Sequence, residues 1–319
     1  MAVIGVDLGG TKIRAALVTP DGTLLHEDNV LIGGKSGKEV GMLLSGRIQR
    51  LMQLSGGAVD AIGVSAPGIY DADRGTVWAP NLAGWEEYPL YREIRSAVKS
   101  ETVTIAIEND RACYIAGESR LGAAQGYRNA VFIAVGTGIG AGVMVDGAIV
   151  RGSAGSAGSI GWLPVERPYN ISFTHCGCLE YLASGEGIAR MARRLVGEAP
   201  GYHGSLRIAD MSALTARDVF NAYEKNDPIA GAIITSCIEL WGMAAAALVS
   251  LLDPDVLVFG GGVFGPAAAF LDRIHKEAEK WGQPVAMQRV IFAASQLGEN
   301  AGLIGAACFA YRALGQDTD

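Results

Sequence analysis

Val3-Ile4-Gly5-Val6-Asp7-Leu8-Gly9-Gly10-Thr11-Lys12-Ile13-Arg14-Ala15-Ala16-Leu17-Val18 reads as an apolar strand, a tight turn and a returning strand. The turn suits a phosphate. Gly9 and Gly10 let backbone N–H groups approach a ligand closely, Thr11 adds a hydroxyl and Lys12 a cation. Asp7, at the end of the first strand, is placed to hold a hydrated magnesium ion beside those phosphates. An ordinary hairpin has the same outline, so the turn by itself decides nothing. The chain contains the device twice, however. Residues 131–135 read as a strand, Gly136-Thr137-Gly138 as a turn, 140–145 as a returning strand, Asp146-Gly147 as a second turn and 148–150 as a third strand. From Ile4 the order is the same, with Pro20-Asp21-Gly22 as the second turn and 23–27 as the third strand. A loose internal duplication predicts two similar α/β domains facing each other across a cleft.

The bulk numbers agree with that size and class. A chain of 319 residues accommodates two ordinary domains. It is 50% hydrophobic with 44 glycines, a globular and turn-rich composition, and only the tail 316–319 has the composition of disorder. A net charge of -7 provides no basic footprint, so nucleic acid is not an expected partner. No uncharged apolar run of about 18 residues occurs, and Met1 leads straight into a strand pattern. Neither a transmembrane helix nor a signal peptide is expected, and no membrane partner. The cysteines Cys113, Cys176, Cys178, Cys237 and Cys308 are odd in number and mostly in apolar surroundings, which fits reduced thiols in the cytoplasm.

Helical spacing predicts helices over 40–54, 87–100, 112–121, 179–196, 213–226, 228–252 and 300–314, with buried strands at 61–64, 103–107 and 256–259. The expected division is 1–118 and 119–299, with helix 300–314 packing back on the first domain. Ser65-Ala66-Pro67-Gly68 and Glu108-Asn109-Asp110 follow the carboxyl ends of strands, where open α/β sheets bind ligands. Gly260-Gly261-Gly262 follows a strand and is expected to open a helix, an order that favours an anionic or nucleotide group. Two common nucleotide motifs fail on spacing. Gly34-Lys35-Ser36 and Gly37-Lys38-Glu39 lack the remainder of GxxxxGK[ST], and Gly136 and Gly138 lead into a strand where GxGxxG demands a helix. Two phosphate-clasping hairpins and the Gly260 turn together point to an ATP site.

Beyond these features the chain resembles the ROK family of bacterial sugar kinases, within the actin-like and hexokinase-like ATPase group. The resemblance rests on DLGGTK from Asp7, SAPG from Ser65, PNLAGW from Pro80, END from Glu108, GTGIGAG from Gly136, GCLE from Gly177 and GGG from Gly260. It implies two actin-like, ribonuclease H-like domains and ATP-dependent phosphoryl transfer to a hydroxyl of a hexose or hexose derivative, with magnesium. Asp110 would be the general base, and a helix N-cap is its plainer reading. Gly68, Asn81, Asn109, Asp110 and Glu180 match sugar-binding positions; Glu180 has the plainer reading of a solvated helix residue. Gly9, Gly10, Thr11 and Lys12, with Gly136, Thr137, Gly138 and Gly140, would hold phosphates. Gly260, Gly261, Gly262 and Val263 would line the adenosine pocket. The family's transcriptional repressors carry a helix-turn-helix segment before the hairpin, for which this sequence leaves no room. A homodimer is implied.

The sequence departs from the family twice. Ser159 and Trp162 stand where a Glu and a His contact sugar hydroxyls, so the sugar-specific end of the pocket is altered. Trp162 either stacks on a pyranose face or fills loop space. The family's zinc ligands fall on Ile171, Phe173 and Trp162, leaving only Cys178, and structural zinc is not expected; packing by Ile171, Phe173 and Trp162 is expected in its place. Two other classes remain open: a non-catalytic sugar or nucleotide sensor, which would bind without turnover, and an ATPase acting on a protein partner, which would turn over without sugar.

Overall fold

The computed structural model describes residues 2–316, so most of the tail 316–319 lies outside the described residues. The first half runs β1 (Val3–Leu8), β2 (Lys12–Val18), β3 (Leu24–Leu31), α1 (Gly37–Leu54) and β4 (Ala61–Ala66). It continues through a small hairpin, β5 (Ile69–Asp71) and β6 (Thr76–Trp78), to α2 (Leu90–Val98), β7 (Thr104–Asn109) and α3 (Asp110–Leu121). The first sheet has the order β3-β2-β1-β4-β7, antiparallel through β1 and parallel beyond it. α1 covers one face because Val40, Leu44, Ile48 and Leu51 share one side of the helix and bury against Ile4, Val6, Ile62 and Val64.

The second half runs β8 (Ala130–Val135), β9 (Ile139–Val145), β10 (Ala148–Ile149), α4 (Cys178–Ala183), α5 (Gly185–Glu198), α6 (Ala216–Tyr223) and α7 (Pro228–Leu252). It ends with β11 (Val256–Gly260), α8 (Leu271–Ala278), α9 (Pro284–Met287), β12 (Ile291–Ala294) and α10 (Ala301–Ala313). Its sheet, β10-β9-β8-β11-β12, repeats the strand order of the first. β12 is a parallel edge strand that the periodicity missed, because its four residues are too short a run to stand out. α7 is long and apolar enough to cross a membrane by length and composition; here Ile233, Ile234, Cys237, Trp241 and Val249 bury it in the second core. Asp227 caps it, accepting from the N–H groups of Ile229 and Ala230, with Pro228 at its first position.

Two expected helices differ. The run 179–196 is two helices, because Ser184 is extended and caps α5 by accepting from Gly187 N–H, while Trp241 Nε1 donates to the Ala183 carbonyl that the break releases. The glycine turn after β11 does not open an α-helix. Gly261 has φ of 91°, 3₁₀ turns follow over Gly262–Phe264 and Pro266–Phe270, and the next α-helix begins only at Leu271. That turn therefore lacks the dipole of a regular helix N-terminus.

The two halves are locked by exchange of helices. α10, last in the chain, packs on the first sheet through Leu303, Ala307, Ala310 and Tyr311 against Val3, Ala16, Val18 and Ala61. α3, which belongs to the first half, sends Ile115 into the second sheet among Phe132, Met144 and Val258. Between the sheets α3 and α10 cross in near-backbone contact: a Cβ on Gly305 would lie 1.8 Å from the Cys113 carbonyl oxygen. Gly63 meets α10 as closely, 1.7 Å from the Ala306 oxygen. Gly305→Ala must push these helices apart and is expected to lower stability by about 1–3 kcal/mol in urea denaturation. Gly46→Ala in α1, where a Cβ meets nothing within 4 Å, is expected to be neutral or stabilising in the same assay.

Candidate active site

The site gathers at the carboxyl ends of the parallel strands of the first sheet. Strand register sets Asp7 beside Ser65, and Ser65 beside Glu108, so β7 delivers Asn109 and Asp110 to the same sheet edge as Asp7, with β4 between them. Ser65 Oγ donates to Asp7 Oδ1 at 2.8 Å. Burial raises the Asp7 pKa, against the pull of that hydrogen bond and of Arg14 and Lys12. Gly302 of α10 approaches so closely that a Cβ there would lie 2.6 Å from Asp7 Oδ1.

Asp110 is not the helix cap. Asn109 is, its side-chain oxygen accepting from Ala112 N–H at 2.8 Å. Asp110 takes only the N–H of Arg111, at 2.8 Å, and its side chain remains 27% exposed to the cleft. Burial raises its pKa to about 6, with Arg111 lowering it and Asp7 raising it further. A carboxylate of that pKa is mostly ionised at neutral pH and still a useful proton acceptor.

The glycines sort into two kinds. At Gly10, Gly136 and Gly262 a Cβ would meet nothing within 4 Å, and none of the three has a positive φ. Nothing within the chain demands glycine there, so the open space is room for a ligand to lie against the backbone. The N–H groups of Gly10, Thr11 and Thr137, at the exposed hairpin tips, have no hydrogen-bond partner among the described residues. Gly138, Gly140, Gly260 and Gly261 have internal reasons, since added Cβ atoms would strike Glu180, Arg111, Phe132 and Val135 respectively. Gly9 N–H is spent within the hairpin on the Lys12 carbonyl. Gly185 N–H donates to the Gly136 carbonyl and Val263 abuts Gly185, which brings the second hairpin and the Gly260 turn together. Val263 itself is 5% exposed and belongs to the second core.

Lys12 Nζ pairs with Glu299 Oε2 at 2.7 Å, both partly exposed, a contact that an arriving phosphate can displace at little cost. Glu180 gives one oxygen to Ile139 N–H at 2.6 Å, so it braces the second hairpin and is not a solvated residue. Asn81 lies on the exposed loop between β6 and α2, its side chain without a hydrogen bond among the described residues. Trp162 is 57% exposed and walls a cavity of about 390 Å³ with Tyr169, Phe173 and Cys178. The packing expected where the family has zinc is thus only partial: Phe173 is buried between Tyr169 and Tyr181, whereas Ile171 is 74% exposed. Among the described residues no three His, Cys, Asp or Glu side chains stand together.

Three residues of the site escaped the sequence reading. Arg14, 8% exposed, donates to Glu299 O and Asn300 Oδ1 and pairs with Glu27, tying β2 to the start of α10. Glu118 is fully buried and accepts from Ala123 N–H, Ser295 Oγ and Leu297 N–H, tying α3 to the segment before α10. Arg111 reaches Ser159 and Gly68 from beside Asp110. Its position directly after Asp110, a cation beside an acid in the first turn of the helix, was the available signal.

The ROK family model matches residues 3–313. The chain belongs to the ROK family. It is 32% identical over 313 residues to a glucokinase of Halalkalibacterium halodurans, covering 95% of this chain and 92% of that one. A ROK family glucokinase from Streptomyces griseus, crystallised in complex with glucose and AMPPNP, is 30% identical with a TM-score of 0.81, covering 98% of this chain and all of that one. A ROK hexokinase from Thermus thermophilus is 31% identical with a TM-score of 0.79 over 99% of both chains. The fold of this ROK protein is accordingly that of the actin-like ATPases.

The raised pKa of Asp110 has a sign that stability can test. Its folded carboxyl holds a proton more tightly than the unfolded one, so ionisation penalises the fold above about pH 6, and the penalty is relieved as pH falls toward 4. Asp110→Asn is expected to stabilise the protein by about 1–3 kcal/mol at pH 7.5 in urea titrations, the gain disappearing by about pH 4.

Proposed function

We propose that this ROK protein is an ATP-dependent sugar kinase, transferring the γ-phosphoryl group of ATP to a hydroxyl of a hexose or hexose derivative. The observation that carries the reading is Asp110: not used as a helix cap, 27% exposed, with its pKa raised to about 6 at the same sheet edge as a glycine hairpin whose tip N–H groups have no partner among the described residues. Asp110 takes the proton as the sugar O–H bond breaks; the sugar oxygen then bonds to the γ-phosphorus, and the bond from that phosphorus to the bridging oxygen of ADP breaks. The Gly10 and Thr11 amides and Lys12 hold the transferring phosphate, and Gly136, Thr137 and Gly138 hold the others. Gly260 to Gly262 face the adenosine end, with Val263 supporting them from the core. Gly68, Asn81, Asn109 and Glu180 surround the sugar.

Magnesium fits the donor set. Asp7 is a buried carboxylate with a single hydrogen-bond donor on one oxygen, and Lys12 and Arg14 are held elsewhere by Glu299. Asp7 would hold the ion, through water, and the ion would supply neutralisation of phosphate charge. A homodimer is part of the same proposal and is read by size-exclusion chromatography with light scattering.

Coupled ADP detection against a panel of hexoses is expected to show sugar-dependent turnover that EDTA abolishes. Asp110→Asn is expected to lose at least about 10²-fold in kcat with ATP affinity nearly unchanged. For the wild type, kcat/KM is expected to fall below about pH 6, as the base becomes protonated. Normal turnover by Asp110→Asn would refute the assignment of the base, and ADP release that ignores sugar would refute the kinase.

A further inference from the structure

Residues 163–177, between the 3₁₀ turn Ile160–Trp162 and α4, hold no regular element except the 3₁₀ turn Ile171–His175. A connection of that length is uncommon in a compact domain. Here it folds around the cavity of about 390 Å³ that Trp162, Tyr169, Phe173 and Cys178 wall, with Glu166 and Arg167 also lining it. Phe173 is buried and meets Tyr169 edge to face with ring centroids 6.1 Å apart, so it steadies a ring that is itself 68% exposed. Trp162 is exposed on the same cavity. Two aromatic rings are thus held open to solvent at one concave surface, where covering them would be favourable.

The cavity is separate from the acceptor pocket. None of Gly68, Asn81, Asp110, Ser159 and Glu180 lines it. The partition is backbone: a Cβ on Gly177 would be 2.4 Å from the Gly161 carbonyl oxygen, and a Cβ on Gly161 would in turn be 3.1 Å from Glu180 Oε2. Glu166 and Arg167 are exposed, and neither has a hydrogen bond or ion pair among the described residues. These groups define the occupant. The aromatic rings offer flat apolar surface, the Glu166 carboxylate accepts and the Arg167 guanidinium donates. A wholly apolar molecule would strip water from both charges and return no hydrogen bond. An anion would be opposed by Glu166 and a cation by Arg167. A neutral ring with an apolar face and hydroxyls around its edge satisfies every group, and a pyranose is such a ring.

We propose that this cavity is a second carbohydrate site, binding a neutral pyranose ring by stacking on Trp162 and Tyr169 with hydroxyl contacts to Glu166 and Arg167. The volume is at the lower end of ordinary small-molecule sites and suits one ring with a small aglycone. The partition at Gly161 and Gly177 separates that ring from Glu180 and the acceptor pocket, so it is bound there without being phosphorylated. The site goes beyond the kinase reading and does not rest on it.

The test is calorimetric titration of the full chain with methyl α-D-glucopyranoside, methyl β-D-galactopyranoside and methyl α-D-mannopyranoside, with sorbitol as an open-chain polyol and adenosine as a neutral aromatic ligand. At least one methyl pyranoside is expected to bind with a Kd of about 1–10 mM, and sorbitol is expected not to bind. Trp162→Ala and Tyr169→Ala are expected to weaken that binding about tenfold or more, Trp162→Phe to restore most of it, and Arg167→Gln to weaken it about threefold to tenfold. Tyr169 and Arg167 are exposed, so their variants keep the fold and carry the test if Trp162→Ala does not. Asn81→Ala and Asp110→Asn, which alter the acceptor pocket, are expected to leave the same binding within about twofold. Four results overturn the proposal: no methyl pyranoside binds; binding falls with Asn81→Ala and ignores Tyr169→Ala, which places the sugar in the acceptor pocket; sorbitol binds as well as the rings; or adenosine binds and the pyranosides do not. Sugar turnover plays no part in the readout, so failure of the kinase reading leaves the result interpretable.

Discussion

The close crossing of α3 and α10 is the constraint on which the site depends. Helices whose backbones nearly touch can do so only through glycine and alanine, and here Gly117, Gly305 and the alanines around them meet that requirement. Each helix covers the sheet of the opposite half, so neither half completes its core alone. α3 starts with Asp110, and the turn before α10 carries Glu299 and Asn300, which hold Lys12 and Arg14. One packing contact therefore registers Asp110 and the hairpin cations Lys12 and Arg14 against one another. Glu118 strengthens it from the far end of α3, where a buried carboxylate is tolerable because several donors satisfy it.

The electrostatics follow from that geometry. Asp7 and Asp110 are two desolvated carboxylates at strand ends separated by β4, and the Asp7 charge adds to the cost of ionising Asp110. The Arg111 guanidinium offsets some of that cost at Asp110 without hydrogen-bonding it, the only bond to the carboxylate from this residue being its backbone N–H. A cation at this distance favours the ionised Asp110 carboxylate. A direct bidentate pair would have lowered its basicity and blocked it.

Much of the fold was legible along the chain. The two hairpins are apolar strands with glycine turns, and their repetition led to an expectation of two similar domains; the two sheets indeed share one strand order. The helices of the cores, α1 and α7 above all, announced themselves by apolar spacing and by caps such as Asp227-Pro228. Where local pattern was weak the expectation failed: β12 is too short to show, and the break at Ser184 depends on a cap and on Trp241 from another helix. The helix expected after Gly260 became a 3₁₀ turn, because Gly261 adopts a left-handed conformation against the Val135 backbone.

By itself the sequence determined the hairpin turns, the strand ends that carry Asp7 and Asp110, and the presence of Ser159, Trp162, Ile171 and Phe173 where the resemblance led to other side chains being expected, because these are properties of residues and their near neighbours. Only the tertiary structure decided that Asn109 and not Asp110 caps α3, that Gly10 and Gly136 face open space while Gly138 and Gly140 are filled behind, and that Arg111 closes the gap from Gly68 to Ser159. The physical reason is the same in each case. Hydrogen-bond satisfaction and the space beside a backbone depend on partners far away in the chain, and no local pattern encodes where those partners arrive.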